Sequence, residues 1–381
     1  MVMNILMWVA DTAGCGHVRI NLPAKYLNKN FSNIFNVKTS QVMNPNEWVT
    51  LLNKEKSLYQ KNFNLTVHQR QYGAPNLQNM RFLQDKLKIP CVYEIDDYLH
   101  KVHPQSSAYY AYNPATNVER FKNIDAYLRD SKAITVTTNY LKNVYSIYNK
   151  NIYVLENYID LDEIFTDEIR KTRECRRMEH EAKGEIWIGW AGSNTHLPDL
   201  NVAKDAMIRI LNEFPNVKLC LGGWDGFFRD KEGKIHYPET NPWKDVPENK
   251  KIVIPWAKDM KDYPKMLSHF DIGIAPLEDN DFNRCKSDIK FKEYAGAGVP
   301  VIASSVEPYA KSIKNGVDGL LVQTKGAVFN DWYKKIKSLV ENRELRLQMA
   351  ENVQKRAIVE FDMDKNVYKW KDAYLEIIQR G

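Results

Sequence analysis

Lys286, Lys290 and Glu293 are the residues whose types and spacing point most directly to chemistry. The two lysines lie four apart, and like charges at that helical spacing repel unless an anion sits between them. Lys290 and Glu293, three apart, share one face. A phosphate against the lysines and a diol against the glutamate would engage all three. The plainer reading is a solvated amphipathic helix with a local Lys290–Glu293 ion pair, which contributes little. Ser287 and Asp288 stand just ahead. Their side-chain oxygens suit orphan backbone N–H groups, and negative charge suits a helix N-terminus.

Three further clusters carry chemical potential. Asp96 and Asp97 end the apolar run 89–95, with His100 and His103 in the loop beyond. Paired acids at a strand end fit a metal site, acid/base work, or simple turn capping. Gly14-Cys15-Gly16 follows the first apolar run, with Arg19 three residues later. Glycines there let the backbone approach a ligand, and the following N–H groups plus Arg19 suit an anion. The motif lacks the full dinucleotide fingerprint, so no nicotinamide site is expected. Gly192-Ser193-Asn194 opens another turn, where backbone N–H groups form an anion nest and Ser193 and His196 add side-chain donors. The same residues equally suit a helix entrance.

The elements that must position these groups follow from patterning. Short apolar runs at 4–10, 64–69, 89–95, 133–137 and 151–155 read as strands, and helical stretches separate them. The pattern restarts in the stretch that opens at Glu185 and continues through 217–222, 251–254, 272–277 and 299–303. Gly298 and Pro300 stop the helix that carries Glu293. Alternation of this kind, twice over, implies an α/β fold of two doubly wound, Rossmann-like domains facing across a cleft. Residues 1–165 form the first domain, 166–184 a charged linker region, 185–360 the second domain, and 361–381 a terminal helix. The linker's basic residues fit a solvated helix better than a nucleic-acid patch, because no aromatics interleave them. Residues 229–250, polar and proline-rich, read as a long loop insertion.

At 381 residues, 44% hydrophobic and 27% charged, the composition is that of a soluble globular protein. The net charge of +6 suits an anionic substrate without demanding nucleic acid. Five scattered cysteines without a Cys-x-x-Cys pair imply reduced thiols, a cytoplasmic location and no zinc site. The first apolar run is too short for a signal peptide or membrane span, so no integral membrane association is expected.

The stretch Glu293-Tyr294-Ala295-Gly296-Ala297-Gly298-Val299-Pro300-Val301 resembles the donor-binding segment of retaining, GT-B-fold glycosyltransferases of the group 1 (family 4) type. In that family a helix with Glu-Ala-x-Ala-x-Gly-x-Pro-Val follows an earlier glutamate across seven residues. Val136-Thr137-Thr138-x-Tyr140-Leu141 with Asn157-x-x-Asp160 is similar to the unit that closes its first domain. The resemblance covers nearly the whole chain and is strongest over 186–304. It implies the GT-B fold, with the C-terminal helix crossing back to the first domain. It also implies a nucleotide-sugar donor, a UDP-sugar, transferred to a hydroxyl acceptor with retention and without a metal. Glu293 then grips the ribose, Trp256 or its backbone packs near the base, and the Gly14–Gly16 loop faces the donor phosphates and the acceptor.

Three positions depart from the family. Its first glutamate, which touches the transferred sugar, falls on Cys285. Its strand-end histidine beside that sugar is replaced by Asp96, with His100 and His103 nearby. Its arginine–lysine phosphate clamp is absent, and Ser193 stands near the arginine's place. Phosphate charge then falls to Lys286 and Lys290, with Arg284 as a further candidate. Acceptors compatible with the surplus positive charge include a hydroxymethylated base in phage DNA. A cell-wall polymer, a lipid and a protein are the alternatives. A nucleotide-sugar 2-epimerase and a catalytically silent binding module are other functions of the same fold.

Overall fold

The computed structural model describes residues 2–40, 63–223, 228–229, 235–236 and 241–380. Two all-parallel six-stranded sheets account for the strands expected from sequence. The first contains β1 (Met3–Trp8), β2 (Phe35–Ser40), β3 (Leu65–Gln69), β4 (Cys91–Glu94), β5 (Ala133–Val136) and β6 (Ile152–Val154) in the order β2-β1-β3-β4-β5-β6. The second strand set is interrupted, between its second and third strands, by a small antiparallel pair, β9 (Phe228–Arg229) and β10 (Ile235–His236). Its sheet combines β7 (Ile186–Ala191), β8 (Val217–Gly222), β11 (Lys251–Ile254), β12 (Ile272–Ala275), β13 (Val301–Ser304) and β14 (Gly319–Val322). Their order is β11-β8-β7-β12-β13-β14. Strands β3, β4, β5, β12 and β13 are buried at every residue, as parallel strands covered on both faces must be.

Each sheet reverses its winding beside its first strand, at β1/β3 in one and β7/β12 in the other. Such reversals open a crevice at the carboxyl ends of the strands, the standard ligand position in doubly wound sheets. The Gly14 loop, Arg70 and the Asp96–Asp97 pair follow β1, β3 and β4. The Ser193–His196 turn and the 277–288 loop follow β7 and β12. These loops meet, so the topology alone brings the candidate residues to one cleft.

The chain crosses between the halves twice, and the two crossings lie side by side. Ile159 bridges Asp362 in parallel fashion, through Ile159 N–H to the Phe361 carbonyl at 3.0 Å and Met363 N–H to the Ile159 carbonyl at 2.8 Å. The last helix, Tyr368–Gln379, then buries Trp370, Ala373, Tyr374 and Ile377 against Ile5, Met7 and Val67 of the first sheet. This is the crossing back expected from the resemblance. Residues 167–182 form a helix with Arg173, Arg177 and His180 buried. His180 stacks on Trp187 with ring centroids 4.1 Å apart and contacts Asp271 at 2.9 Å. The helix therefore packs on the second sheet, and only its outer side is solvated. The insertion expected over 229–250 lies partly outside the described residues. Its described end is well packed, with Trp243 wholly buried in the second core. Among the described residues, no helix is long and apolar enough to cross a membrane.

Candidate active site

A cavity of about 410 Å³ lies between the two sheets. It is lined by Gly14, Arg19, Asp96, Ser193, His196, Lys286, Ser287, Lys290 and Glu293, nine of the residues singled out from sequence. Gly16, Gly192, Trp256 and Asp288 do not line it.

The second-domain wall is built on the helix Ile289–Gly296, which follows the short helix Asp281–Cys285. Lys290 reaches back to donate to the Ala191 carbonyl and lies 5.5 Å from the Trp190 ring centroid. Burial holds its ammonium below the usual lysine range, although Glu293 pulls the other way. Lys286 lies over the Phe282 ring at 4.6 Å. Among the described residues neither lysine is in an ion pair, so the local Lys290–Glu293 bridge does not form. Glu293 instead accepts a hydrogen bond from the Tyr263 hydroxyl at 2.8 Å. Burial pushes its carboxyl up, against Lys290 and the Tyr263 hydroxyl. The result is two cations without carboxylate partners beside a half-engaged acid, and an anionic ligand would neutralise this arrangement.

The turn after β7 supplies the rest of that wall. Ser193 Oγ and Thr195 Oγ1 are 2.7 Å apart. His196 Nδ1 meets Asp199 Oδ2 at 3.0 Å. Burial, and then the nearby Lys286, push the His196 imidazole down to about 4, so it is neutral at pH 7. Gly192 is spent on the fold: its N–H donates to the Gly222 carbonyl at 3.1 Å. It still limits the wall, because a Cβ there would come 2.7 Å from the Trp190 ring and 3.5 Å from Lys290 Nζ.

On the first-domain wall, Asp96 lies 3.5 Å from Arg70 Nε, and its Oδ1 is buried without a hydrogen-bond partner. Arg70 also pairs with Asp11 and adopts a left-handed backbone, φ 45°. Burial works to raise the Asp96 carboxyl, but Arg70 and Arg19 outweigh it and hold it below the ordinary range. Burial pushes the adjacent Asp97 carboxyl up, against Lys286. The two acids are thus shifted in opposite directions, with Asp96 the more acidic member.

Several sequence expectations need correction. Arg19 is buried and committed: Nε and Nη2 donate to the Glu94 carboxylate at 2.7 and 3.0 Å. Its Nη1 donates to Asn157 Oδ1 at 2.8 Å and to the Leu155 carbonyl. Four of its five N–H groups are occupied, so it stiffens the wall and has little left for an anion. Gly16 serves packing, because a Cβ there would lie 1.9 Å from the Asp11 carbonyl oxygen. Asp288 makes no side-chain cap; its carboxylate takes Lys292 at 3.0 Å and the Ser312 hydroxyl. Ser287 accepts from Asn157 Nδ2 at 2.8 Å, tying the two halves together. Trp256 is half-exposed at the sheet edge, covering Gly223, with its ring centroid 6.4 Å from that of Tyr263. Arg284 is spent on Asp279 at 2.7 Å. Cys285 is wholly buried in the first-domain core, and burial pushes its thiol up to about 12. It does not line the cavity.

Sequence reading passed over Arg70, Asp199, Tyr263 and Asn283. A signal existed for Asp199, an acid three residues after His196 at a helix entrance. Arg70 and Tyr263 act on partners distant in sequence.

Residues 176–356, just under half of the chain, match the family model described as "Glycosyl transferases group 1". No curated protein matches in sequence. Among solved structures, sucrose-phosphate synthase from Thermosynechococcus elongatus superposes with a TM-score of 0.70 at 12% identity, covering 100% of both chains. HepE from Anabaena, in complex with UDP and glucose, gives 0.65 at 14% identity, covering 98% of this chain and 99% of that one. A glycosyltransferase from Rickettsia africae gives 0.62 at 17% identity, covering 100% of both. These likenesses extend over the whole chain and establish the two-domain GT-B architecture.

Proposed function

We propose that this chain is a retaining, metal-independent glycosyltransferase that moves a hexose from a UDP-sugar to a hydroxyl acceptor. The observation that carries this reading is the meeting of Lys286, Lys290 and Glu293 on one cavity wall, the lysines without carboxylate partners. The match of 176–356 to group 1 glycosyl transferases and the complex of HepE with UDP and glucose support it. In this reading residues 185–360 hold the donor and residues 1–165 present the acceptor.

Glu293, oriented by Tyr263, accepts hydrogen bonds from the ribose diol. Lys286 and Lys290 lie against the diphosphate. As the bond between the sugar's anomeric carbon and the diphosphate oxygen breaks, negative charge grows on that oxygen, and the two ammonium groups stabilise it. Preorganised charge of this kind in a water-poor cleft is the largest catalytic contribution in many enzymes. The acceptor oxygen attacks the same face of the anomeric carbon, and its proton passes to the departing diphosphate. The products are UDP and a glycoside with retained configuration. Asp96, kept ionised by Arg70, orients a hydroxyl of the acceptor or the sugar.

For the acceptor, the net charge of +6 favours a polyanion such as DNA carrying hydroxymethylated bases. Asp96 and Asp97 on the acceptor wall instead favour an uncharged hydroxyl compound. Salt separates the two, because binding to a polyanion weakens steeply with added salt.

The test is a panel of nucleotide sugars, with and without candidate acceptors, read by mass spectrometry. Nucleotide release coupled to an acceptor gaining one hexose is expected. Donor consumption without acceptor would indicate an epimerase. The absence of any free nucleotide, despite binding, would indicate a silent binding module.

A further inference from the structure

Asn283 is 3% exposed, in the short helix Asp281–Cys285 on the cavity wall. Both its amide protons are committed. Nδ2 donates to Asp199 Oδ1 at 2.6 Å and to the Glu278 carbonyl at 2.9 Å. Those two bonds fix which end of the amide faces which way, and they leave Oδ1 buried with no hydrogen-bond partner. A buried acceptor without a donor is costly, so each such group in a folded protein calls for an explanation.

His196 is set by the same carboxylate. Asp199, 5% exposed, spends Oδ1 on Asn283 and on the Glu278 N–H at 3.1 Å, and Oδ2 on His196 Nδ1 at 3.0 Å. Burial tends to raise the Asp199 carboxyl, but His196 and Lys286 hold it below the usual range, so it accepts. His196 Nδ1 must therefore carry the proton, which leaves Nε2 as an acceptor. One buried carboxylate thus turns an amide and an imidazole so that each keeps a spare acceptor, and both residues line the same cavity. Phosphate oxygens, themselves acceptors, find no donor at either atom. Hydroxyl groups do.

We propose that Asn283 Oδ1 and His196 Nε2 accept hydrogen bonds from two hydroxyls of the transferred sugar, with Asp199 as the positioning residue that sets both. The inference rests on the donor reading above and deepens it: sugar choice is decided by two hydroxyl donors meeting two fixed acceptors. A sugar lacking either hydroxyl leaves a buried acceptor unpaired and is rejected. Cys285 has no part in this.

The test is calorimetry on the full chain with UDP, UDP-glucose, UDP-galactose and the monodeoxy analogues of both sugars. For the preferred sugar, two monodeoxy analogues are expected to bind roughly tenfold to a hundredfold more weakly, while UDP serves as the common baseline. Asn283→Ala should erase one of those penalties and His196→Ala the other, with UDP affinity unchanged in each. The analogue series on the natural chain needs no substitution, so a variant that fails to fold does not spoil the test. Equal binding of every deoxy analogue to the natural chain overturns the proposal and leaves the donor reading standing. So does an equal loss for UDP and the UDP-sugars in both variants. Failure to bind UDP at all overturns both.

Discussion

Replacing Glu293 by alanine should weaken UDP binding with little effect on folding. One carboxylate oxygen is occupied by the Tyr263 hydroxyl at 2.8 Å, and the other is open to the cavity. A hydrogen bond to a charged acceptor is worth about 1.5–3 kcal/mol, so losing the ribose contact raises the Kd by roughly 10- to 150-fold. Stability should move little. The half-buried carboxylate is held above its usual range by desolvation, so it is no strong stabiliser, and its removal leaves only the Tyr263 hydroxyl to re-solvate. Calorimetry with UDP and with its 2′,3′-dideoxy analogue, on the natural chain and on Glu293→Ala, checks this alongside a thermal melt. The dideoxy analogue should bind the natural chain as weakly as UDP binds the variant, and should bind both proteins alike. An unchanged UDP affinity, or a loss that the dideoxy analogue shares in full, would refute the ribose assignment.

Other outcomes follow from the same structure. Lys290→Ala should lower turnover about a hundredfold or more, the scale of removing one preorganised donor, while the Tm stays within a few degrees. A collapsed Tm would make the residue structural. Burial pushes the His68 imidazole down to about 3, below its unfolded value near 6.5. The folded state therefore binds fewer protons, and stability present above pH of about 6.5 falls as pH drops, by at most about 1.4 kcal/mol per unit. In urea titrations at several pH values, His68→Gln should show a shallower decline than the natural chain. A Cβ at Gly189 would lie 2.0 Å from the Phe270 ring at the centre of the second sheet. Gly189→Ala should therefore cost at least about 1–3 kcal/mol in the same titrations.

Local patterning carried the architecture well. Strands β8 and β11 begin and end at the expected residues, because a continuous apolar run bounded by turn residues leaves little choice. Glu293, Lys286 and Lys290 were legible because their spacing is itself a geometric statement. What the sequence hid lies in contacts between distant segments. Nothing near Arg19 announces Glu94, which only the stacking of β1, β3 and β4 brings beneath it. Asp288 looks like a helix cap, yet buried Lys292 four residues on is the stronger claim on its carboxylate. The Asp199 hub joins the loops after β7 and β12, and its role appears only once those strands pair.

The most direct test of the central claim is a crystal structure of the chain with UDP bound. The diphosphate is expected in the cleft, within hydrogen-bonding distance of Lys286 and Lys290 Nζ, with the ribose hydroxyls on Glu293. A diphosphate bound elsewhere, with both ammonium groups facing open solvent, would contradict it.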